Sequence, residues 1–536
     1  MQQMQRNNIS SMRKAQARHK AAQYDYNNFR GLLILVEFND KEFSRDDYAE
    51  LLNDMVNKQN YTGYTDTNGR KQTYTGSVRD YFYDNSFGKF SPEFDVVGPV
   101  KLLNYSQYDA NGTDGAWNIL RAAVDAADAQ VNFKDYDRDG DGFVDMIYFI
   151  VAGNGANYSG NDSRLFWPHR SGFYGYVRKD GVYLGDYASS VELCGFTNYP
   201  STVKIDGIGT ICHEFGHVLG LPDFYDTDYE QNGQSNDPGD WSVMAGGSYY
   251  NDGRTPVGYS LFERYMVGFI GGPTVINKEG SYTLKSIDEV NTGFRINTSV
   301  AKEYFMLENR QRTKWNYYLP GSGMLVFRVD STSTSVWDYN NVNSNPNHNY
   351  YELVRAGGWK GDASAYDPFP GTGNVETLNN GTSPANLLPW NEGGTQWGLT
   401  NIRQSGGVVY FDIEDAYVLK SISILEEMTL GVGVSRNLTV TYDPSYIEEK
   451  VTWTSSNKNI ATVDAEGRVT GVGVGTCTIT ATAESGPTAT CTVKVEEQLV
   501  VNNIAEFKAL EEGTKAVLTL TDARVLYVYN KDVYIR

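Results

Sequence analysis

CHEFGHVLGLPD, residues 212–223, contains two histidines, two carboxylates and a glycine at fixed spacings. On a helix, His213 and His217 project from the same face, one turn apart. Glu214 lies beside the first imidazole, where it can reach a metal-bound water rather than the metal. Gly220 can end the helix and let the chain turn back, which delivers Asp223 as a third ligand. This arrangement predicts a catalytic zinc site with one open position.

A methionine in a glycine-flanked turn follows this motif, in WSVMAGGSYY at residues 241–250. Metzincins place such a methionine beneath the metal as an apolar base, so Met244 narrows the prediction from any HExxH hydrolase to a metzincin-like one. Tyr249 or Tyr250, just after the turn, could supply a further phenol hydrogen bond to the reacting group. The alternative is an exposed tyrosine without a catalytic part.

Acidic residues alternate in DYDRDGDGFVD at 135–145, after a helix predicted over 114–130. With Asp135 at position one, carboxylates at positions one, three and five and glycine at six match the first half of an EF-hand calcium loop. Position twelve is Met146 instead of a bidentate glutamate, and a strand follows. We therefore expect a calcium loop that joins a helix to a strand; the alternative is a solvated acidic turn. The expected ligands are Asp135, Asp137, Asp139, Asp141 and Asp145.

The composition excludes several classes of protein. The formal net charge of −20 argues against a nucleic-acid partner. No run approaches the roughly 18–20 apolar residues that cross a bilayer, so no transmembrane segment is expected. The four cysteines contain no CxxC pair, which argues against a cysteine zinc site. Cys477 with Cys491, and Cys194 with Cys212, could form disulfides; four buried thiols are an equal alternative.

Changes of pattern divide the 536 residues into five parts. Residues 1–28 are polar and locally basic, an N-terminal extension or propeptide remnant without a cysteine that could inhibit the zinc. Residues 29–273 form the expected catalytic domain, and residues 274–415 a β-rich subdomain packed on it. Short alternating strands at 416–496 predict a β-sandwich. Residues 497–536 begin a further domain that stops in mid-pattern, so the natural protein is expected to continue.

These motifs resemble the immune inhibitor A family of secreted metallopeptidases, relatives of the metzincins, over about residues 29–415. The stretches that carry the resemblance are HEFGHVLGLPDFYDT at 213–227, WSVMAGGSY at 241–249, YFYDNSFG at 81–88, the acidic loop at 135–145, WPHR at 167–170, and ENR at 308–310 before LPG at 319–321. The resemblance implies a bacterial zinc endopeptidase with structural calcium that acts on proteins or peptides. Residues 416–496 resemble a bacterial immunoglobulin-like group 2 domain, which implies a spacer or adhesive module, contact with a cell surface or host protein, and a secreted or surface-exposed location.

Carried over by position, His213 and His217 match the family's zinc ligands and Glu214 matches its general base. Asp223 replaces the third histidine common in metzincins, and Asp226 could compete with it as third ligand. The expected reaction is peptide-bond hydrolysis by a zinc-activated water whose proton Glu214 accepts and returns to the leaving amine. The expected fold is an α+β, zincin- or metzincin-like catalytic domain with a β-rich subdomain, followed by an all-β immunoglobulin-like sandwich.

Two other functions stay open on the sequence. A catalytically inactive surface adhesin or scaffold, built on a metallopeptidase fold, would suit the sandwich and the 39 tyrosines, but the intact Glu214 does not favour it. A zinc hydrolase acting on a non-peptide bond has no positive sign in the sequence. His169, beside aromatic residues, is interpreted as a packed, hydrogen-bonded histidine outside the metal site.

Overall fold

The computed structural model of the chain describes residues 26, 29–108, 115–159, 162, 164–173, 177–196, 199, 203–229, 231–497, 499–511, 516–521, 525–529 and 532–535. The expected N-terminal extension at 1–28 therefore lies outside the described residues, apart from Tyr26. The chain divides into two compact units, residues 1–415 and 416–536. Among the helices of these described ranges, none is long and apolar enough to span a membrane.

The first part of the first unit is a layered α/β structure. Its strands are β1 Arg30–Phe38, β2 Gly63–Thr65, β3 Lys71–Thr73, β4 Glu93–Leu102, β5 Phe143–Val144, β6 Ile147–Asn154, β7 His169–Gly172, β8 Arg178–Lys179, β9 Val182–Leu184, β10 Asp186–Cys194 and β11 Lys204–Ile205. Its α-helices are α1 Tyr48–Asn57, α2 Val78–Asn85, α3 Gly115–Ala127, α4 Gly209–Val218 and α5 Leu261–Met266. Short 3-10 helices cover Tyr105–Gln107, Phe133–Tyr136, Ala156–Tyr158, Gly239–Trp241 and Gly246–Tyr249.

The central sheet has the strand order β11-β10-β6-β1-β4, with β7 also paired to β10. The pairs β10–β6, β6–β1 and β1–β4 are parallel, whereas β7 and β11 run antiparallel to β10. An apolar run suits a parallel strand with both faces covered. In β1, Leu33 and Leu35 join the core shared with α1, α2 and α4, and Ile34 joins the core shared with α3. The sheet is therefore sandwiched between helices, and α4 lies on the face opposite α3.

Local sequence signals locate the helix ends well. The predicted helix at 114–130 is α3, and the predicted helix of the zinc motif is α4. Ser77 caps α2: its hydroxyl accepts a hydrogen bond from Asp80 N at 3.1 Å, and the Asp80 carboxylate accepts one from Ser77 N at 2.9 Å. This reciprocal pair satisfies two backbone donors that the first helical turn leaves free.

Residues 274–415 belong to the same unit and are rich in strands, as predicted. The elements are β12 Thr274–Val275, β13 Gly280–Leu284, β14 Phe294–Asn297, β15 Glu303–Arg310, a 3-10 helix Lys314–Asn316, β16 Gly323–Asp330, α6 Thr334–Asp338, β17 Tyr351–Val354, β18 Trp397–Ser405 and β19 Val408–Asp415. Five strands form the sheet β12-β14-β15-β16-β17, and three form β13-β19-β18. Both β15 and β16 are buried along their whole length, and their residues are shared between the first unit's main core and a second core beneath β18 and β19.

The second unit is β-rich. Its elements are β20 Ser421–Ser423, β21 Glu427–Gly431, β22 Ser435–Asn437, β23 Thr441–Asp443, β24 Val451–Ser455, β25 Ala461–Val463, β26 Arg468–Gly471, β27 Gly475–Ala483, β28 Thr488–Glu496, β29 Leu499–Val501, α7 Ile504–Lys508, β30 Ala516–Leu518, β31 Val525–Tyr529 and β32 Asp532–Ile535. A four-stranded sheet β21-β28-β27-β24 and a three-stranded sheet β22-β26-β25 share one core. Alternate residues of β27 and β28 are buried, which is the pattern of a sandwich strand.

The disulfides considered from the sequence are not formed, because all four cysteines are free and buried. The register of β27 and β28 explains one case: Cys477 lies opposite Val493 and Cys491 lies opposite Ile479. The two thiols are therefore diagonal rather than facing each other across the ladder. The alternative interpretation, four buried thiols, is the one that the structure has.

Candidate active site

Helix α4 places His213, Glu214 and His217 next to one another. The two imidazole rings lie 4.8 Å apart between centroids, with their planes at 84°. Gly216, between them in sequence, allows the underside of the helix to approach its support closely. A Cβ at this position would lie 2.6 Å from Met244 Sδ and 3.0 Å from the Tyr259 hydroxyl. Glycine is therefore required here for the helix to pack on the methionine turn.

The end of α4 returns the chain toward the imidazoles. Gly220 has a φ of +102°, a left-handed conformation that favours glycine. Leu221 N donates to Gly216 O at 3.0 Å and Gly220 N donates to His217 O at 3.0 Å, which closes the last turn. The role predicted for Gly220 is confirmed, and the reversal brings Asp223 back to the two histidines.

Backbone carbonyls fix the orientation of both imidazoles. His213 Nδ1 donates to Val243 O at 2.8 Å, and His217 Nδ1 donates to Leu221 O at 2.8 Å. A neutral imidazole that donates from one nitrogen keeps a lone pair on the other. Each Nε2 lies 3.2 Å from Asp223 Oδ1. The three atoms therefore converge on one point with lone pairs available.

The geometry of these three atoms fits a tetrahedral zinc ion. The ligand atoms of His213, His217 and Asp223 all lie within 4.8 Å of one another. Tetrahedral ligands about 2.0–2.1 Å from zinc stand about 3.3 Å apart, and the two Nε2–Oδ1 separations are 3.2 Å. Asp223 Oδ1 and Glu214 Oε2 are buried and have no hydrogen-bond partner within the described ranges. Two imidazole nitrogens and one carboxylate oxygen form a ligand set that suits a divalent cation. The two buried oxygens without a partner would be satisfied by that cation and its water.

The charged groups of the site shift one another's pKa values. Burial raises the pKa of Glu214, and the neighbouring imidazoles oppose this rise. Burial would also raise the pKa of Asp223, but His217 and His213 outweigh it and hold that pKa far below its usual range. For His213, burial lowers the pKa, but Asp223 and Glu214 prevail and raise it to about 9. The cluster of His213, Glu214, His217 and Asp223 attracts positive charge, so protons and a metal ion compete for its ligand atoms.

The methionine turn supports the first histidine as well as the helix. Met244 is fully buried, and its carbonyl accepts a hydrogen bond from Phe224 N at 2.9 Å. The Ser242 hydroxyl accepts from Met244 N at 3.0 Å and donates to the buried Glu263 carboxylate. Since Val243 O, between them, accepts from His213, this turn connects α4 to the segment that carries Asp223.

The tyrosines after the turn lie in different surroundings. Tyr249 is 49% exposed and packs edge-on against Tyr158, with 5.7 Å between ring centroids. Burial, followed by the charges of Asp240 and Asp362, raises the pKa of Tyr250. The carboxylates that act on the phenol of Tyr250 are therefore not those of the zinc motif. Of the two tyrosines, Tyr249 is the exposed one.

Tyr225 is a residue that reasoning from the sequence missed. The negative charge of Asp223 is the first cause that raises the pKa of Tyr225, followed by burial, and Glu214 contributes as well. Both carboxylates of the site therefore act on its phenol through their charge. The signal was available, since Tyr225 stands two residues after Asp223 in the same motif.

Asp226 makes its hydrogen bonds outside the pair of histidines. Asp226 N donates to Asp237 Oδ2 at 3.1 Å, and Asp226 Oδ1 accepts from Asp228 N at 3.2 Å. Of the two aspartates considered as third ligand, Asp223 is the one grouped with the histidines. His169 lies outside the group, and its Nδ1 and Nε2 are hydrogen-bonded to Trp167 O and the Tyr187 hydroxyl at 2.8 and 3.1 Å.

The acidic loop brings together Asp137, Asp139 and Asp141, whose carboxylate oxygens lie within 4.8 Å of one another. Asp135 is not in this group, because it lies in a 3-10 helix and its Oδ1 accepts from Asn132 Nδ2 at 2.9 Å. Asp145 is not in this group either, but burial and then the charges of these three aspartates raise its pKa to about 7.

The loop therefore differs from the predicted register by two residues. With Asp137 at position one, Asp139 and Asp141 take positions three and five, and Gly142, with a φ of +87°, takes position six. The sequence fits both registers at positions one to six, since four aspartates alternate from Asp135 to Asp141 and a glycine, Gly140 or Gly142, stands at position six in either case. Only the 3-10 helix that contains Asp135 distinguishes them.

Comparison with known proteins gives two family matches. Residues 23–272 match the model of the immune inhibitor A peptidase M6 catalytic domain, and residues 418–493 match that of the bacterial Ig-like domain, group 2. The resemblance drawn from the motifs is confirmed. The architecture of the chain is mixed α/β and then β-rich. The metzincin or zincin fold of the catalytic domain stays a prediction.

Among curated proteins, the pre-pro-metalloprotease PrtV of Vibrio cholerae serotype O1 is 27% identical over 282 residues, which are 45% of this chain and 30% of that protein. Immune inhibitor A of Bacillus thuringiensis subsp. alesti is 27% identical over 281 residues, 46% of this chain and 40% of that protein. The matches thus span less than half of either relative. A crystal structure of an EHEC O157:H7 intimin mutant aligns with 17% of this chain and 63% of that chain at 22% identity, with a TM-score of 0.13 that is too low to bear on the fold.

Proposed function

We propose that this chain, whose residues 23–272 carry the immune inhibitor A peptidase M6 catalytic domain, is a zinc-dependent endopeptidase that hydrolyses peptide bonds of proteins. The observation that carries the proposal is the convergence of His213 Nε2 and His217 Nε2 on Asp223 Oδ1, beside the buried Glu214. One relative is named a metalloprotease, and the other, immune inhibitor A, shares its name with the matched peptidase family, which supports peptide bonds over other substrates.

In this proposal His213, His217 and Asp223 hold the zinc ion, which when bound lowers the pKa of a water to roughly 7 and polarises a carbonyl. The carbonyls of Val243 and Leu221 keep both imidazoles turned toward the site. These second partners raise the basicity of the ligands and fix their tautomer.

Glu214 is the general base. Its Oε2 has no hydrogen-bond partner within the described residues and is therefore ready to accept a proton from the attacking water. Burial raises its pKa, which brings the carboxylate closer to the range in which it can both take and release a proton. It then gives the proton to the nitrogen of the leaving amine.

Two tyrosines, Tyr225 and Tyr249, are proposed to contact the substrate. We propose that the Tyr225 phenol donates a hydrogen bond to the oxygen that becomes negative as the carbonyl is attacked. The charge effect of Asp223 and Glu214 on this phenol, and its position two residues after Asp223 in the sequence, support this role. For Tyr249, half exposed and packed on Tyr158, we propose contact with the substrate chain; the phenol hydrogen bond to the reacting group considered for it from the sequence stays a prediction.

Export and the second domain belong to the proposal too. The relative from V. cholerae is named a pre-pro-metalloprotease, and we propose that this chain also acts outside the cell. The group 2 Ig-like domain at 418–493 would then serve as a spacer or as a contact to a surface or host protein.

Removal of zinc tests the enzymatic proposal. Treatment of the full chain with 1,10-phenanthroline should abolish casein cleavage, and one equivalent of Zn²⁺ should restore it, because the three ligands hold the metal that the reaction requires. The non-chelating isomer 1,7-phenanthroline is the matched control. Cleavage that continues in the zinc-free chain would contradict the proposal, and no cleavage even with zinc bound would favour the inactive scaffold.

We also propose that the acidic loop binds Ca²⁺ through Asp137, Asp139, Asp141 and Asp145. Besides the grouping of three carboxylates, Asp137 Oδ1 is buried without a hydrogen-bond partner in the described part of the chain. Oxygen ligands on alternate residues around a glycine turn are what calcium loops use. The loop joins the 3-10 helix Phe133–Tyr136 to β6, so calcium would stiffen the entry into the central sheet.

Calcium should raise the melting temperature of the wild-type chain but not of Asp139→Asn. A ligand at 100 times its Kd adds about 2.7 kcal/mol of stability, and the substitution removes one charged ligand. Asp135→Asn is the matched control, since Asp135 lies outside the group, and it should respond to calcium as wild type does. Thermal unfolding with calcium or with EGTA, at equal zinc occupancy, measures this. A melting curve that EGTA does not change would argue against the site.

A further inference from the structure

Asn340 lies just after α6, and its side chain is bound to Asp223 at two points. Asn340 Oδ1 accepts a hydrogen bond from Asp223 N at 2.7 Å. Asn340 Nδ2 donates to Asp223 Oδ2 at 2.6 Å. The two residues are 117 positions apart in sequence, so this contact is made by the fold and not by the zinc motif.

The two bonds determine which oxygen of Asp223 faces the histidines. Oδ2 is occupied by the amide of Asn340, while Oδ1 lies 3.2 Å from both Nε2 atoms. A carboxylate with no such partner can turn about its last torsion, where the rotamer wells are broad. Hydrogen bonds to a charged acceptor are stronger than those between neutral groups. Asn340 therefore holds the ligand oxygen in place.

The loop that carries Asn340 is itself firmly held. Asn340 has a φ of +59°, in the left-handed region that asparagine tolerates, and its carbonyl accepts from the Thr227 hydroxyl at 3.2 Å. Asn343, fully buried, donates from Nδ2 to Phe224 O and to Tyr351 O, each at 2.7 Å. The segment after the zinc helix and the loop before β17 are thus bound to each other at Asp223, Phe224 and Thr227.

We infer that Asn340 is a positioning residue for the third metal ligand, and that residues 274–415 thereby complete a site that residues 23–272 do not build alone. The inference rests on the proposed function, because it takes Asp223 as a ligand. Partners behind metal ligands contribute about 10- to 100-fold to metal affinity or activity. Asn340 occupies such a place from outside the part of the chain that matches the peptidase family.

Asn340→Asp in the full chain separates this role from simple packing. Aspartate keeps the size, the tolerance of positive φ and the acceptor for Asp223 N, but replaces the amide donor by a second carboxylate oxygen that repels Oδ2. We expect the Kd for Zn²⁺ to rise about 10- to 100-fold, measured by competition with a chromophoric chelator. The visible absorption of the Co²⁺-substituted protein should also change, because it reports the ligand geometry.

Asn347→Asp is the matched control, since it makes the same charge change in the same loop at an exposed residue. It should keep the wild-type Kd and Co²⁺ spectrum. If Asn340→Asp lowers the melting temperature of the zinc-free chain more than Asn347→Asp does, Asn340→Gly replaces it, because glycine accepts the backbone angle and adds no charge. Asn340→Gly should likewise weaken zinc binding.

Asp223→Ala distinguishes this inference from the proposed function. If Asp223→Ala leaves the Kd for Zn²⁺ unchanged, the ligand set itself is wrong. If Asp223→Ala weakens zinc binding, but Asn340→Asp and Asn340→Gly both bind Zn²⁺ with the wild-type Kd and spectrum, the ligand set stands and the role of Asn340 is overturned.

Discussion

Glu214→Gln lowers kcat/KM for a peptide substrate by about 10²- to 10⁴-fold, the usual contribution of a general base, and leaves one zinc per chain in place. The amide has the size of the carboxylate but cannot take a proton from the attacking water. Because Glu214 is not grouped with the three ligand atoms, its loss should not release the metal. Casein or peptide cleavage and metal analysis on the same sample measure both effects.

His217→Ala is the contrasting variant, since it removes an Nε2 that lies 3.2 Å from Asp223 Oδ1. It should lose zinc and activity together, whereas Glu214→Gln loses activity alone. Glu214→Gln that cleaves casein as fast as wild type would refute its role as base. Glu214→Gln without zinc would show that the residue acts mainly in metal binding.

Arg310→Met destabilises the first unit by about 3–5 kcal/mol, the cost of leaving one partner of a buried ion pair alone. Arg310 and Glu308 have fully buried side chains, with Nε–Oε1 at 2.6 Å. Arg310 Nη1 also donates to Gly258 O at 2.8 Å and to Asn316 Oδ1 at 2.7 Å. The substitution therefore leaves a buried charge and two acceptors without their donor.

Lys58→Met is the control for this loss. Lys58 pairs with Asp54 at 2.5 Å, but both side chains are largely exposed, at 56% and 41%. Exposed pairs contribute about 0–1 kcal/mol, so this variant should unfold close to wild type. Urea unfolding of the full chains gives the comparison. An Arg310→Met chain within 1 kcal/mol of Lys58→Met would show that the cluster around β15 tolerates the loss of its ion pair.

The parts of the site that depend on neighbours in sequence could be predicted from the sequence. The four-residue spacing of His213 and His217 sets their common face, and Gly220 reverses the chain because its φ of +102° suits glycine. Whether Asp223 or Asp226 meets the histidines depends on hydrogen bonds to Asn340 and Asp237, which come from later in the chain. That choice required the tertiary structure.

At two other places, the acidic loop and the β27–β28 hairpin, the sequence pattern is compatible with more than one register. The acidic loop fits the calcium pattern with either Asp135 or Asp137 at position one. Asp135 lies in the 3-10 helix Phe133–Tyr136 and outside the carboxylate group, so position one is Asp137. Cys477 and Cys491 flank a hairpin, but their pairing with Val493 and Ile479 makes them diagonal neighbours. In the hairpin, a shift of two residues keeps every side chain on the same face, and in the loop it places aspartate on aspartate. Periodicity alone could therefore not resolve either register.

Diffraction at the zinc absorption edge, from crystals of the full chain grown with zinc, tests the central claim most directly. We expect one anomalous peak at about 2.0–2.2 Å from His213 Nε2, His217 Nε2 and Asp223 Oδ1, with Asn340 Nδ2 still bonded to Asp223 Oδ2. A peak coordinated by Asp226 in place of Asp223, or no peak beside the two imidazoles in a chain that cleaves casein, would contradict it.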